Sequence, residues 1–188
     1  MVLYLPPMLQ KLPLYLALVL LTQCSKCKND PRPVDPVSQL PPATQTGANT
    51  FGCLVNGQAY TPSGYNGTPN YAVVYDPGFQ GGTLDVRSYR YPAPGKSQYL
   101  VVGGVNISRT GTYPFSPAQA GAFFTDEFRS SPCDDYHSNR AGTTSTGSIT
   151  LTRLDLQAGV ISGTFAFTLA QPGCDTIKVT QGRFDKKL

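Results

Sequence analysis

The chain has 188 residues, of which only 14% are charged, and a formal net charge of +4; an average soluble domain is roughly 25% charged. Its cations are scattered, with no basic run longer than Lys186-Lys187. It therefore lacks the clustered Lys and Arg that a nucleic-acid groove requires, and no nucleic-acid partner is expected.

The first element is an apolar run, Leu12 to Leu21, preceded by Lys11. At about ten residues it suits the core of a signal peptide and is too short to span a bilayer. It ends in Leu21-Thr22-Gln23-Cys24 without the Ala-x-Ala pattern of an ordinary cleavage site. That tetrapeptide resembles the lipobox of bacterial lipoproteins, with Gln23 standing where Gly, Ala or Ser is usual. The resemblance implies a signal peptide over 1–23, cleavage before Cys24 and lipid on the Cys24 thiol. Each buried acyl methylene contributes about 0.8 kcal/mol, so one chain holds a protein marginally and two or three hold it firmly. The partner so implied is a membrane, reached through the lipid anchor, and the address is the cell envelope. Ser25-Lys26 follow the cysteine in place of the acidic residues that mark surface export in some such lipoproteins, so a periplasm-facing position is expected.

Residues 24–50 carry Pro31, Pro33, Pro36, Pro41 and Pro42 among Ser, Thr, Gln and Asp. Proline fixes φ and removes a donor, so this stretch reads as an extended tether. The folded domain is expected over 51–188.

The remaining composition, with a single glutamate, 19 Gly, 17 Pro and 11 Tyr, favours short strands joined by tight turns. Asn56-Gly57 between Phe51–Val55 and Gln58–Tyr60 predicts a hairpin, since both turn residues tolerate φ > 0. Tyr71–Tyr75 is a strand stopped by Asp76-Pro77-Gly78; Leu84, Val86 and Ser88 alternate with Asp85 and Arg87. Tyr99–Ile107 is another strand, with a bulge or bend expected at Gly103-Gly104. Ser116-Pro117-Ala118-Gln119-Ala120-Gly121 predicts one short helical turn, with Ser capping, Pro first and Gly last. Three strands, Gly147–Asp155, Val160–Ala170 and Asp175–Asp185, are joined by short links and predict an antiparallel meander. The expected fold is all-β, an antiparallel β-sandwich, with a lipocalin-like β-barrel as the alternative.

Three features together resemble the uncharacterised lipoproteins common in Bacteroidetes-type bacteria. These are the leader ending at Cys24, the opening Thr50-Phe51-Gly52-Cys53-Leu54-Val55-Asn56-Gly57, and a tail built from Ile161-Ser162-Gly163-Thr164-Phe165 and Gly182-Arg183-Phe184-Asp185. The resemblance implies an address and a fold and carries over no catalytic residue.

With Cys24 acylated, Cys27, Cys53, Cys133 and Cys174 remain, and an oxidising envelope permits disulfides. Cys27 lies in the tether. Among Cys53, Cys133 and Cys174, the pair Cys133–Cys174 is the expected bond, contributing about 2–4 kcal/mol. His137 is the only histidine and ends the polar knot Asp134-Asp135-Tyr136-His137. A catalytic zinc site needs three protein ligands, and no such spacing surrounds it, so neither a metal nor a cofactor is expected. No nucleophile elbow or phosphate-cradling glycine loop is present. The triplets Arg153-Leu154-Asp155 and Arg183-Phe184-Asp185 place Arg and Asp on one strand face and read as solvated ion pairs. Tyr71, Tyr75, Tyr89 and Tyr91 are the candidate ligand-binding side chains, since aromatic faces with polar tips suit a glycan or an envelope protein. The expectation is a lipid-anchored β-domain with a binding or structural role and no enzymatic one. The alternatives are an envelope polysaccharide hydrolase, marked by two carboxylates within about 10 Å of each other in a deep pocket, and a carrier of small apolar ligands in a closed barrel.

Overall fold

In the computed structural model, which describes residues 34–188, eleven strands form two antiparallel sheets. The first contains β1 (Thr50–Val55), β2 (Gln58–Tyr60), β6 (Gly111–Pro114), β9 (Thr144–Asp155), β10 (Val160–Ala170) and β11 (Ile177–Lys187), in the order β2-β1-β11-β10-β9-β6. The second contains β3 (Tyr71–Asp76), β4 (Thr83–Ala93), β5 (Lys96–Gly104), β7 (Ala120–Asp126) and β8 (Asp135–His137), in the order β3-β4-β5-β7-β8. Both sheets are open, so the architecture is a sandwich and not a lipocalin-like barrel. Cys24, Cys27 and the signal peptide lie outside the described residues. Among the described residues no helix is long and apolar enough to cross a membrane.

Strand alternation places the core. Ala120, Ala122, Phe124 and Asp126 of β7 point inward, while Gly121, Phe123 and Thr125 face out. In β10, Phe165, Phe167 and Leu169 are buried opposite the exposed Thr164 and Ala166. Between the sheets Phe51 stacks on Phe165, with ring centroids 5.5 Å apart, and meets Tyr71 at 5.6 Å. Burying such a side chain contributes about 1.5–3 kcal/mol relative to exposing it. The Asn56-Gly57 hairpin forms with φ of 48° and 80°, as a two-residue turn matched to strand twist requires. The Asn56 side chain also ties the turn to β11, accepting from the Lys178 N–H at 2.7 Å. The meander β9-β10-β11 forms as the sequence predicts.

Three expectations are corrected. Ser116–Gly121 is a tight turn: the Ser116 N–H donates to the Ala120 carbonyl at 2.9 Å, and β7 begins at Ala120, which leaves no room for a helix. The one helical turn among the described residues is a 3-10 turn at Pro36–Gln39, where Asp35 Oδ1 accepts from the Val37 N–H. Gly103 and Gly104 carry no bulge, because both keep unbroken register with β4 and β7. A side chain at either would meet neighbouring backbone: a Cβ at Gly103 would lie 2.3 Å from the Leu84 carbonyl oxygen.

The third correction concerns the tether. The folded unit begins at Asp35, not Phe51. Residues 40–48 form a strap across the outer face of the first sheet. A Cβ at Gly52 of β1 would fall 2.8 Å from Pro41, Arg183 of β11 donates to the Pro41 carbonyl, and Arg153 of β9 donates to the Gln45 carbonyl at 2.6 Å. Proline-rich sequence marked this stretch as extended; it did not reveal that the extended chain has a partner.

Candidate ligand-binding groove

The second sheet leaves its outer face open, and register defines what stands there. Asp85 of β4 lies opposite Gly103 of β5, which lies opposite Gly121 of β7. The neighbouring row runs Ala72, Arg87, Val101, Phe123, His137 across β3, β4, β5, β7 and β8. Two adjacent glycines beside a row of large side chains make a notch in the face. Strand side chains stand perpendicular to the sheet, so Val101 and Phe123 wall one long side. The Ser116–Gln119 turn closes the other, Asp85 sits at one end, and Ser138 and Asn139 sit at the other. The cavity is about 400 Å³, within the roughly 300–1,000 Å³ range of small-molecule sites.

Each wall is fixed by contacts behind it. Phe123 is held between Tyr99, edge-on at 5.8 Å, and the His137 ring at 4.1 Å. The His137 Nε2 lies 3.3 Å from Asp135 Oδ1, and Arg140 pairs with the other oxygen of Asp135 at 2.7 Å. Asp85 is bound by Arg87 through both Nε (2.9 Å) and Nη2 (2.5 Å). Hydrogen bonding to Asp85 and its charge raise the Arg87 pKa above its ordinary value. Burial raises that of the Tyr99 phenol. Ser138 folds back over Gly121, where its hydroxyl occupies the space of the missing Cβ, only 2.2 Å from it, and accepts from the Ala122 N–H at 3.1 Å. The Ser138 hydroxyl, the Asn139 amide and the Asp85 carboxylate thus stand around an aromatic wall.

The four tyrosines proposed from sequence do not line this groove; among them only Tyr89 and Tyr91 meet, with ring centroids 5.5 Å apart. Tyr71 is buried between the sheets and donates to the Asp185 carbonyl at 3.3 Å; burial and the Asp185 charge push its phenol pKa well up. Tyr75 donates to the Ile107 carbonyl at 2.8 Å. Tyr89 is buried under the 64–70 loop, with its phenol on Thr68 and Asn66. Tyr91 packs against Gly64, where a Cβ would lie 2.7 Å from its ring. The hydroxyls of Tyr71, Tyr75 and Tyr89 are spent on backbone carbonyls, which is the ordinary fate of a buried Tyr. The sequence signal missed the groove because glycines carry it, and a Gly pair in a strand reads first as a bulge.

Cys133 and Cys174 are bonded, with Cα atoms 5.4 Å apart, joining the loop before β8 to the β10–β11 turn and so one sheet to the other. Tyr136 donates to the Asp175 carbonyl and Gln171 to the Pro132 carbonyl at the same corner. Cys53 is a free thiol in the core, and desolvation drives its pKa far up. In the knot 134–137, Tyr136 is buried while Asp135 and His137 face outward beside the groove. Among the described residues no group of three or more His, Cys, Asp or Glu is arranged to hold a metal ion.

Arg153-Leu154-Asp155 forms the expected ion pair at 2.8 Å. Arg183-Phe184-Asp185 does not: Asp185 is 1% exposed and holds the strap. It accepts from the Thr44 hydroxyl (2.6 Å), the N–H groups of Thr46, Gly47 and Ala48 (3.0, 2.8 and 3.0 Å) and the Ser162 hydroxyl (2.7 Å). Desolvation pushes its pKa up, but the bonds from Thr44, Ser162, Ala48 and Gly47 outweigh it and hold the carboxyl well below the usual range.

Residues 99–186 match a family described as a domain of unknown function (DUF6252). The match runs from β5 to β11; it includes Gly103, Gly121, Phe123 and His137 of the groove and omits Asp85 and the strap. No curated protein and no solved structure matches the chain.

Proposed function

We propose that the chain is a lipid-anchored protein of the bacterial cell envelope whose sandwich domain binds a ligand in the groove between Asp85 and Asn139. The observation that carries the binding role is the recess of about 400 Å³ beside Gly103 and Gly121, walled by Val101 and Phe123 and partly filled by Ser138. The leader ending at Cys24 supports the anchor, and lipidation by two or more chains supplies firm retention.

The anchor and the groove are tested separately. Expressed as the 188-residue chain in a bacterium that processes lipoproteins, the protein is expected to gain acyl mass at Cys24 and to sediment with membranes, and Cys24→Ala to appear in the soluble fraction. An unmodified Cys24 in protein released without detergent overturns the anchor. For the groove, a soluble envelope fraction is expected to shift the amide resonances of Gly103 and Gly121; unchanged resonances there overturn the binding role.

A further inference from the structure

We infer that the groove takes one pyranose ring of a neutral glycan, an assignment that rests on the groove being the ligand seat. The chemistry of the lining selects the ligand. A wholly apolar ligand would strip water from Asp85, Ser138 and Asn139 without replacing it, and an unpaired buried polar group costs about 1–3 kcal/mol. No Lys or Arg lines the groove beside the Asp85 carboxylate, so an anionic ligand finds no fixed cation there. An extended peptide pairs with a free sheet edge, whereas here β5 and β7 are paired on both sides and offer only a face.

What remains is an uncharged, rigid, disc-shaped molecule with an apolar face and a polar rim. A pyranose has this form: its axial C–H groups make a patch that packs on an aromatic ring, and its hydroxyls point outward around the edge. The notch offers the complementary set. Phe123 and His137, packed together at 4.1 Å, supply aromatic surface along one side, and the further contact of Phe123 with Tyr99 means that little side-chain freedom is lost on binding. Asp85, at one end of the Gly103–Gly121 row, meets hydroxyls on one edge of the sugar. The carboxylate accepts two hydroxyl donors without losing Arg87, because each oxygen has lone pairs to spare. The Ser138 hydroxyl lies on the floor and meets the underside of the ring.

The test is saturation-transfer NMR on the purified 188-residue chain with cellobiose, xylobiose, mannobiose and chitobiose as neutral probes and digalacturonate as an anionic one. Transfer to ring C–H protons of at least one neutral probe is expected, and none to digalacturonate. Phe123→Ala is expected to weaken that binding about tenfold or more, the size of one lost aromatic contact. Asp85→Asn, which keeps size and fold, is expected to weaken it about fivefold or more through lost charge-assisted hydrogen bonds. Tyr65→Ala, at a site 77% exposed and away from the groove, leaves it unchanged. No transfer to any neutral probe, a preference for digalacturonate, or unchanged affinity in Asp85→Asn overturns the glycan assignment. If the envelope fraction shifts Gly103 and Gly121 while the disaccharides do not, the binding role stands and the glycan falls. If neither shifts them, both fall.

Discussion

The outer faces of the two sheets are treated in opposite ways by the same chain. Over the first sheet the strap at 40–48 crosses β1, β11, β10 and β9 and is clasped by a buried carboxylate. Over the second no strap of the described residues crosses the row from Asp85 to Gly121; Ser138 folds back over Gly121, and a recess remains beside it. The first face is made part of the fold by residues just ahead of β1; the second keeps an open recess. The contrast separates two uses of buried polarity. On the strapped face the polar atoms satisfy one another and stabilise the chain. On the open face Asp85 and Asn139 remain accessible and cost little to change.

The strongest way to break the contrast is Asp185→Ala. The substitution leaves the Thr44 and Ser162 hydroxyls and three backbone N–H groups without their acceptor. A loss of about 3–5 kcal/mol in urea unfolding is expected, the scale for removing one partner of a buried charged network, with early proteolysis within 40–48. A loss under about 1 kcal/mol would mean that the strap lies on the sheet without contributing to it. The same carboxylate sets an acid limit. Its pKa is lowered in the folded state, so its contribution is fully present above the unfolded Asp value of about 3.9 and is lost as pH falls from there through the folded value. Asp185→Asn should lack this dependence, and titration of stability from pH 5 downward on both proteins reads the difference.

The Cys133–Cys174 bond ties the two sheets at one corner and belongs to neither outer face. Cys133→Ser with Cys174→Ser is expected to cost about 2–4 kcal/mol while leaving the Gly103 and Gly121 resonances in place. If the groove resonances move as well, the open face depends on the corner brace and is less independent than its register suggests. Tyr60→Phe is a smaller probe of the same coupling. Tyr60 of β2 donates across the sandwich to the carbonyls of Ser88 and Gln98. Its loss is expected to cost about 1 kcal/mol, the ordinary worth of such a bond, as a lower melting temperature with the fold unchanged.

Alternation and turn chemistry made the sandwich legible in the sequence. Thr164, Ala166 and Thr168 against Phe165, Phe167 and Leu169 give the face of β10 directly, and Asn56-Gly57 gives a hairpin with its reason attached. What was illegible depends on pairing between residues far apart in the chain. Asp185 and Arg183 sit two apart on one strand and read as partners. The difference between them is set by Thr44 to Ala48, some 140 residues earlier, in a segment whose prolines suggested solvent. The donors Thr44, Thr46 and the proline-free Gly47-Ala48 were the available signal. The groove was hidden for a related reason. Gly103 and Gly121 become a notch only because register sets them side by side, and register between β5 and β7 is a property of the whole sheet. Tyr71, Tyr75 and Tyr89 misled in the opposite sense, since an abundant aromatic looks like a surface until its hydroxyl is seen to be spent on a carbonyl.

The smallest effect tests the open face itself. Arg87 pairs with Asp85 at the end of the groove, and its side chain is 54% exposed. An exposed pair gains little in water and spends side-chain entropy, so Arg87→Ala is expected to change unfolding stability by under about 1 kcal/mol. It also frees both oxygens of Asp85 without moving Gly103 or Phe123. If the carboxylate is there for a ligand, the substitution leaves the fold at full stability and alters ligand affinity. If instead Arg87→Ala destabilises by several kcal/mol, the pair supports the sheet as Asp185 supports the strap, and the two faces differ less than their shapes imply.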